Sequence, residues 1–429
     1  MQSSDEARRY LRLVLFGAAV GIPAALAAAL FFAVVHYIQH WLWTDLPDAL
    51  GESTAPWYLV VGLPVAGAAI VLAARTLFPG DGGHPPLEGL SLEPTPLAHG
   101  PGIVLAAIGT LGFGAVLGPE APVVALGTLV ALALVSSAGL GEKESRVIAT
   151  AGAFAAISAL FGGPIVGGVM MVEAGVVLGV GLGAALIPTL LPGFVAAAVG
   201  YVVFVGFGDW GGLDAPGLAV PDLAPYEGTH LLDLLLAVAV GVATAFLLVA
   251  VKRLATRTVA DGASRFGTGA FLLLGGLAVG LVALLADALG AESQDVLFSG
   301  QSSIPALVAE TSTTVVLVLL VAKALAYAVS LACGFRGGAI FPAVFLGIGL
   351  ATLPVVWFDV SPTFAVAAGT AAGTAAQSRL LLTSMLFAAL LVGTQGLDAV
   401  PAAVLAAAAA WITATGLDRP RQPESSRTS

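Results

Sequence analysis

"LGPEAPVVALG", Leu117 to Gly127, sets a carboxylate, Glu120, between two prolines in an otherwise apolar sequence. Farther along, "GGAIFPAVFLG" (337–347) repeats the spacing: when the chain is slid by 220 residues (338 minus 118), Gly118-Pro-Glu-Ala-Pro122 falls on Gly338-Ala-Ile-Phe-Pro342. In the same register Pro85 falls on Pro305, Leu11 on Leu231, and "TAGAFAAISAL" (150–160) on "TAAGTAAQSRL" (370–380). Alanine and leucine matches are cheap in such a composition, but two proline coincidences and a shared Gly-x-x-x-Pro in one register are not.

Around these segments the chain is that of a polytopic membrane protein. Of its 429 residues 58% are hydrophobic and only 10% charged, outside the range of soluble domains. Apolar runs recur from Leu11–Val35 to Ser361–Trp411. Several, such as Gly102–Leu117 and Val123–Val135, are too short or too broken by Gly and Pro to cross about 30 Å of hydrocarbon as one straight helix. Tilted and interrupted helices are expected. Leu11–Val35 continues into "VHYIQHW" (35–41) with no small-residue cleavage site, so it reads as a first membrane helix and not a removable signal. The single Cys333 supports no disulfide framework, and no cofactor or metal is expected.

Charge placement orients the chain. Arg8, Arg9 and Arg12 lie before and at the start of the first run; Lys252, Arg253, Arg257 and Arg265 follow the run from Leu231; Arg419, Arg421 and Arg427 close the sequence. By the positive-inside rule these segments are cytoplasmic, both termini included, in a multi-pass protein of the cell membrane. The stretches 44–52, 208–228 and 287–310 are acidic, as outer loops usually are. The two copies of the repeat therefore enter from opposite sides, which makes it an inverted-topology repeat. The expected organisation is one membrane domain over 1–429: a first repeat 11–207, an outer linker 208–230, an inverted second repeat 231–411 and a cytoplasmic tail 412–429. Such repeats place substrate near the bilayer midplane, where interrupted helices offer free amino-terminal N–H groups to an anion.

On those residues the chain resembles the chloride channel and chloride/proton exchanger (CLC) family. "GTLGFGAVLGPEAPVVALG" (109–127) is similar to its GxEGP segment and "GFRGGAIFPAVFLG" (334–347) to its GxFxP segment; "GDGGHP" (80–85) is similar to its GSGIP, and "LFGGPIVGGVMMVEA" (160–174) to the helix that follows. The resemblance runs from about Leu11 to Trp411. The fold it implies is all-α, a two-repeat array of tilted and broken helices with one pore per subunit, usually a homodimer. It puts a gating glutamate at Glu120, which with Ala121 also belongs to the anion site, and anion-donating backbone N–H groups at Ala339, Ile340 and the adjacent Phe341. Gly82 and Gly83 match the inner-site region.

The sequence also departs from that family. Pro119 replaces a residue that donates its N–H, Ala121 replaces a glycine, and Ile340 replaces the phenylalanine of GxFxP. Gly82 stands where a serine hydroxyl touches the anion in that family, so Gly82→Ser is expected to restore a side-chain donor and shift anion selectivity or affinity by up to about tenfold. The family's carboxy-terminal tyrosine has no counterpart in "AWITATGLDRPRQPESS". The exchangers' inner glutamate aligns with Ala174, with Glu173 one residue earlier on another helical face. Glu173 is read either as a displaced proton relay or as a helix-end carboxylate paired with a base such as Lys143 or Arg146, and the second is favoured. His84 is a candidate proton sensor. Lys323, Arg336 and Arg379 either raise the pore's positive potential or snorkel from helix ends.

The leading reading is transport of chloride or a similar anion, channel-like or weakly proton-coupled, gated by Glu120. The alternatives are a chloride/proton antiporter and a transporter of another anion such as fluoride or nitrate. Protons and the lipid bilayer are further partners, and no nucleic acid is expected. An intramembrane enzyme would need a Ser/His or metal cluster at membrane depth, and five His, none paired at ligand spacing within a membrane segment, argue against one.

Overall fold

The structure, a computed structural model, describes residues 2–89, 91–136, 139–179, 187–211, 219–221, 223–226 and 228–418. Its first half contains α1 (Gln2–His40), α2 (Leu46–Ala49), α3 (Trp57–Leu77), α4 (Gly100–Leu111), α5 (Glu120–Val135), α6 (Glu142–Leu160), α7 (Pro164–Val177) and α8 (Ile187–Gly211). The second contains α9 (Leu231–Phe266), α10 (Thr268–Ala288), α11 (Ser293–Val296), α12 (Ile304–Ala309), α13 (Thr313–Cys333), α14 (Ile340–Phe358), α15 (Pro362–Ser378), α16 (Leu381–Val392) and α17 (Val400–Asp418). Eight helices among the described residues are long and apolar enough to cross a membrane. α4, α5, α7 and α16 are not: with 12, 16, 14 and 12 residues they are too short to cross about 30 Å of hydrocarbon.

The breaks have local causes. Gly114 at φ +93 and Gly334 at φ +100 turn the chain out of α4 and α13 into left-handed conformations that a side chain disfavours. Serines restart the long helices: Ser312 Oγ accepts from Val315 N–H at 3.4 Å to open α13, and Ser361 Oγ accepts from Thr363 N–H at 3.2 Å to open α15.

The interruptions meet. Gly118 N–H donates to Gly338 carbonyl at 2.7 Å and Gly338 N–H to Gly118 carbonyl at 2.5 Å, an antiparallel pair joining the leads into α5 and α14. At membrane depth such backbone must be satisfied by protein. α5 then runs toward the start of α1, where Val135 packs with Leu13 and Phe16. α14 runs the opposite way, to where Trp357 Nε1 donates to Thr313 Oγ1 at 3.0 Å. Each helix is crossed closely by the next: Gly127 lies against the backbone of Gly152 in α6, and Gly347 against that of Gly369 in α15. A Cβ at either glycine would overlap main chain.

The boundaries differ in two places. α17 continues through 412–418, so the helix outlasts the apolar run that was expected to end it at Trp411; 419–429 lie outside the described residues. α8 continues to Gly211, past the expected start of the linker at 208. Residues 212–218, 222 and 227 of that linker are outside the described set.

Candidate functional site

Glu120, the first residue of α5, is 0% exposed. Its Oε1 accepts from Ile340 N–H at 3.0 Å and from Phe341 N–H at 2.8 Å, the first-turn donors of α14. One helix thus places its carboxylate on the amino-terminal donors of another, whose partial positive charge suits an anion. Oε2 has no partner among the described residues. Space for the carboxyl comes from Gly118 and Gly338, where an added Cβ would overlap it. The Phe161, Phe341 and Phe387 rings, 4.9 to 5.8 Å apart, pack beside the first turn of α14.

Three cavities converge here. One of about 330 Å³ reaches Leu117 and Pro119 from the face that carries Phe298 and Gln301. From the basic face, one of about 230 Å³ reaches Glu120 and Ala121 past Lys252 and Arg379, and one of about 550 Å³ reaches Ala121 and Gly337 past His84 and Arg336.

The structure distributes the other candidates unevenly. Ile340 and Phe341 meet the carboxylate directly, whereas Ala339 precedes the helix and its carbonyl accepts from Tyr327 Oη at 2.8 Å. Gly82 and Gly83 line the cavity of about 550 Å³ and not the one of about 230 Å³ that Glu120 itself lines. Gly83 N–H donates to Gly80 carbonyl at 3.0 Å, so this expected anion donor is already engaged in a turn. Gly82 sits at φ +71, and its Cβ would lie 3.0 Å from Ala106 Cβ and 3.1 Å from Arg75 Cγ. A serine there is strained, contrary to the benefit expected of Gly82→Ser.

Glu173 pairs with neither Lys143 nor Arg146; Arg146 bonds Glu142 at 2.9 Å. Its Oε1 accepts from Leu382 N–H at 2.8 Å, and its Oε2 from Thr383 N–H at 2.9 Å and Thr383 Oγ1 at 2.7 Å. It caps α16 from another helix. His84 Nδ1 lies 3.8 Å from Glu88, and its Nε2 is buried without a partner among the described residues. Arg336 pairs with Asp81, which also holds Arg75. Arg379 binds Asp418 at 2.6 Å.

Lys323 does not snorkel: it is 0% exposed, and its Nζ donates to the carbonyls of Asp295 at 3.0 Å and Leu297 at 2.6 Å. Tyr327 one turn on holds Ala339, and Ser330 Oγ accepts from Val116 N–H at 3.0 Å. Sequence reasoning missed this stripe, although Lys323, Tyr327 and Ser330, spaced by four and three within an apolar helix, share one face. It ties α13 to the leads of both α5 and α14.

The sequence pattern of the family described as voltage gated chloride channel matches residues 66–414. A protein of Escherichia coli (strain SMS-3-5 / SECEC), named as an ion-transport protein, YfeO, is 29% identical over 358 residues, covering 80% of this chain and 79% of its own. The YfeO of Escherichia coli O1:K1 / APEC is 31% identical over 352 residues, with 80% and 79% covered. Among solved structures, a slow cyanobacterial Cl⁻/H⁺ antiporter superposes with a TM-score of 0.77 at 15% identity, covering 95% of each chain. A CLC-type fluoride/proton antiporter does so at 0.69 and 20%, covering 95% of this chain and 96% of the other.

Proposed function

The chain belongs to the voltage-gated chloride channel family of anion transporters, and from that premise we propose that it carries chloride across the cell membrane through a pathway gated by Glu120. One observation carries the reading: Glu120 Oε1 sits on the N–H groups of Ile340 and Phe341, in the wall between the cavity at Leu117 and those at Ala121. Two backbone donors at a helix amino terminus suit a carboxylate and a halide alike, so the side chain and the transported anion compete for them. The carboxylate in place is the shut arrangement. Protonation removes its charge and frees the donors.

Proton movement is weak in this reading. The carboxylate nearest the exchangers' inner glutamate, Glu173, has both oxygens engaged by α16. The antiporter alternative keeps its support in Glu120 and in the proton-coupled proteins whose fold the chain shares. The basic ends, Arg12 and Lys252 among them, face the cytoplasm with both termini. Exposed apolar side chains on α7, α8, α16 and α17, such as Ile165, Val202, Leu382 and Ile412, suit either lipid or a second copy, and a homodimer is the expected assembly. No catalytic step is assigned.

Simultaneous chloride and proton flux from liposomes holding the purified protein tests this. Chloride efflux sustained by a potassium shunt, with little uphill proton movement, is expected. Stoichiometric proton pumping driven by a chloride gradient establishes the antiporter instead, and no chloride flux at all overturns both.

A further inference from the structure

The cavity opposite the basic face has a wall whose construction the gating of Glu120 does not explain. Phe298, Ser299, Gln301 and Ser302 line it. Phe298 adopts φ +61, a left-handed conformation costly for a bulky residue. It is held from three directions. Its N–H donates to Gly114 carbonyl at 3.3 Å, its ring packs edge-on against Trp43 at 5.1 Å, and Lys323 Nζ takes the carbonyls of Asp295 and Leu297 just before it. Lys323 Nζ also lies 4.6 Å from the centre of the Phe345 ring, so it faces two carbonyls and an aromatic face, in a fully buried place.

By bonding the carbonyls of Asp295 and Leu297, Lys323 fixes from behind the backbone that leads into Phe298 and Ser299. The side chains of Ser299, Gln301 and Ser302, which do line the cavity, form no hydrogen bond among the described residues and present their donors to it. About 330 Å³ is room for a small anion with part of its hydration shell. We propose that this wall is an outer binding station for a partly hydrated halide-sized anion, with Ser299 and Gln301 as donors and Lys323 as the positioning residue that shapes it. The station rests on the anion-transport reading and extends it to a site beyond the gate.

Uptake of radioactive chloride into right-side-out and inverted membrane vesicles tests it, because only the former present this face to the label. Ser299→Ala combined with Gln301→Ala removes both donors from partly exposed positions whose side chains have no hydrogen-bond partner among the described residues. Half-saturating chloride should then rise at least about tenfold in right-side-out vesicles, the least expected for loss of even one of the two charge-assisted hydrogen bonds. The maximal rate should stay within about twofold, the mark of lost binding alone. In inverted vesicles nothing should change. Lys323→Met should reproduce the one-sided rise; where that variant does not fold, the double variant decides. Unchanged half-saturation in the double variant, or an equal rise from both sides, overturns the station. Wild-type vesicles that carry no chloride overturn the transport reading instead.

Discussion

Glu120→Gln keeps nearly the same volume and removes only the charge. In the shut arrangement two N–H groups, at 3.0 and 2.8 Å, bond one carboxylate oxygen. Bonds to a charged acceptor contribute about 1.5–3 kcal/mol each against about 1 for a neutral one, so substitution weakens self-occupancy by roughly 1–4 kcal/mol over the pair. Taking about 2 kcal/mol, the donors become some 30-fold more available to chloride. The wild type should transport faster as pH falls, because protonation of Glu120 removes the same charge. The glutamine variant should run at neutral pH near the rate that the wild type reaches in acid, with a much flatter profile, and Glu120→Ala should behave alike. Chloride efflux from liposomes between about pH 4.5 and 7.5, a window starting at the ordinary carboxyl range, reads both. If Glu120→Gln keeps the wild-type pH profile and loses only about 1 kcal/mol of stability, Glu120 is a helix cap and the gating role is wrong.

Gly338→Ala places a methyl group where the Glu120 carboxyl lies. It should expel the side chain and flatten the pH profile of chloride flux as Glu120→Ala does; a wild-type profile in the folded variant would refute the steric reasoning. Glu173→Ala removes three hydrogen bonds at the start of α16, and a loss of about 1–3 kcal/mol is expected as a lower thermal midpoint in detergent, with chloride flux per folded protein retained. Loss of uphill proton transport at an unaltered midpoint would make Glu173 a relay. Gly82→Ser, at φ +71 and against Ala106, should lower the thermal midpoint by about 1–2 kcal/mol equivalent without tightening chloride binding, as backbone strain there predicts; tighter binding, measured calorimetrically, would place its hydroxyl in the pathway.

Much of the framework lies open in the chain itself. Apolar runs too short to cross, broken by glycine and proline, predict interrupted helices because hydrocarbon tolerates no unpaired backbone. The offset relating Gly118 to Gly338 predicts that the two breaks are equivalent, and in the fold these two glycines are the residues that bond each other. The carboxylate at a helix start, Glu120, is conspicuous for the same reason: a charge at membrane depth needs donors.

Which donors it finds is a different kind of fact. Ile340 and Phe341 bear on Glu120 only because two halves of the chain close antiparallel on one another, and no local pattern reports a contact across that distance. The same holds for Glu173, read from the sequence as a helix-end carboxylate paired with a base such as Lys143 or Arg146, and found bonded to the N–H groups of α16. Lys323 looks like a residue that would reach for water, yet it is buried because the carbonyls of Asp295 and Leu297 are brought to it. Periodicity, charge and helix breakers are properties of short segments and so are written in the sequence. The pairing of each buried polar group is decided by the packing of helices far apart along the chain, and only the tertiary structure determines it.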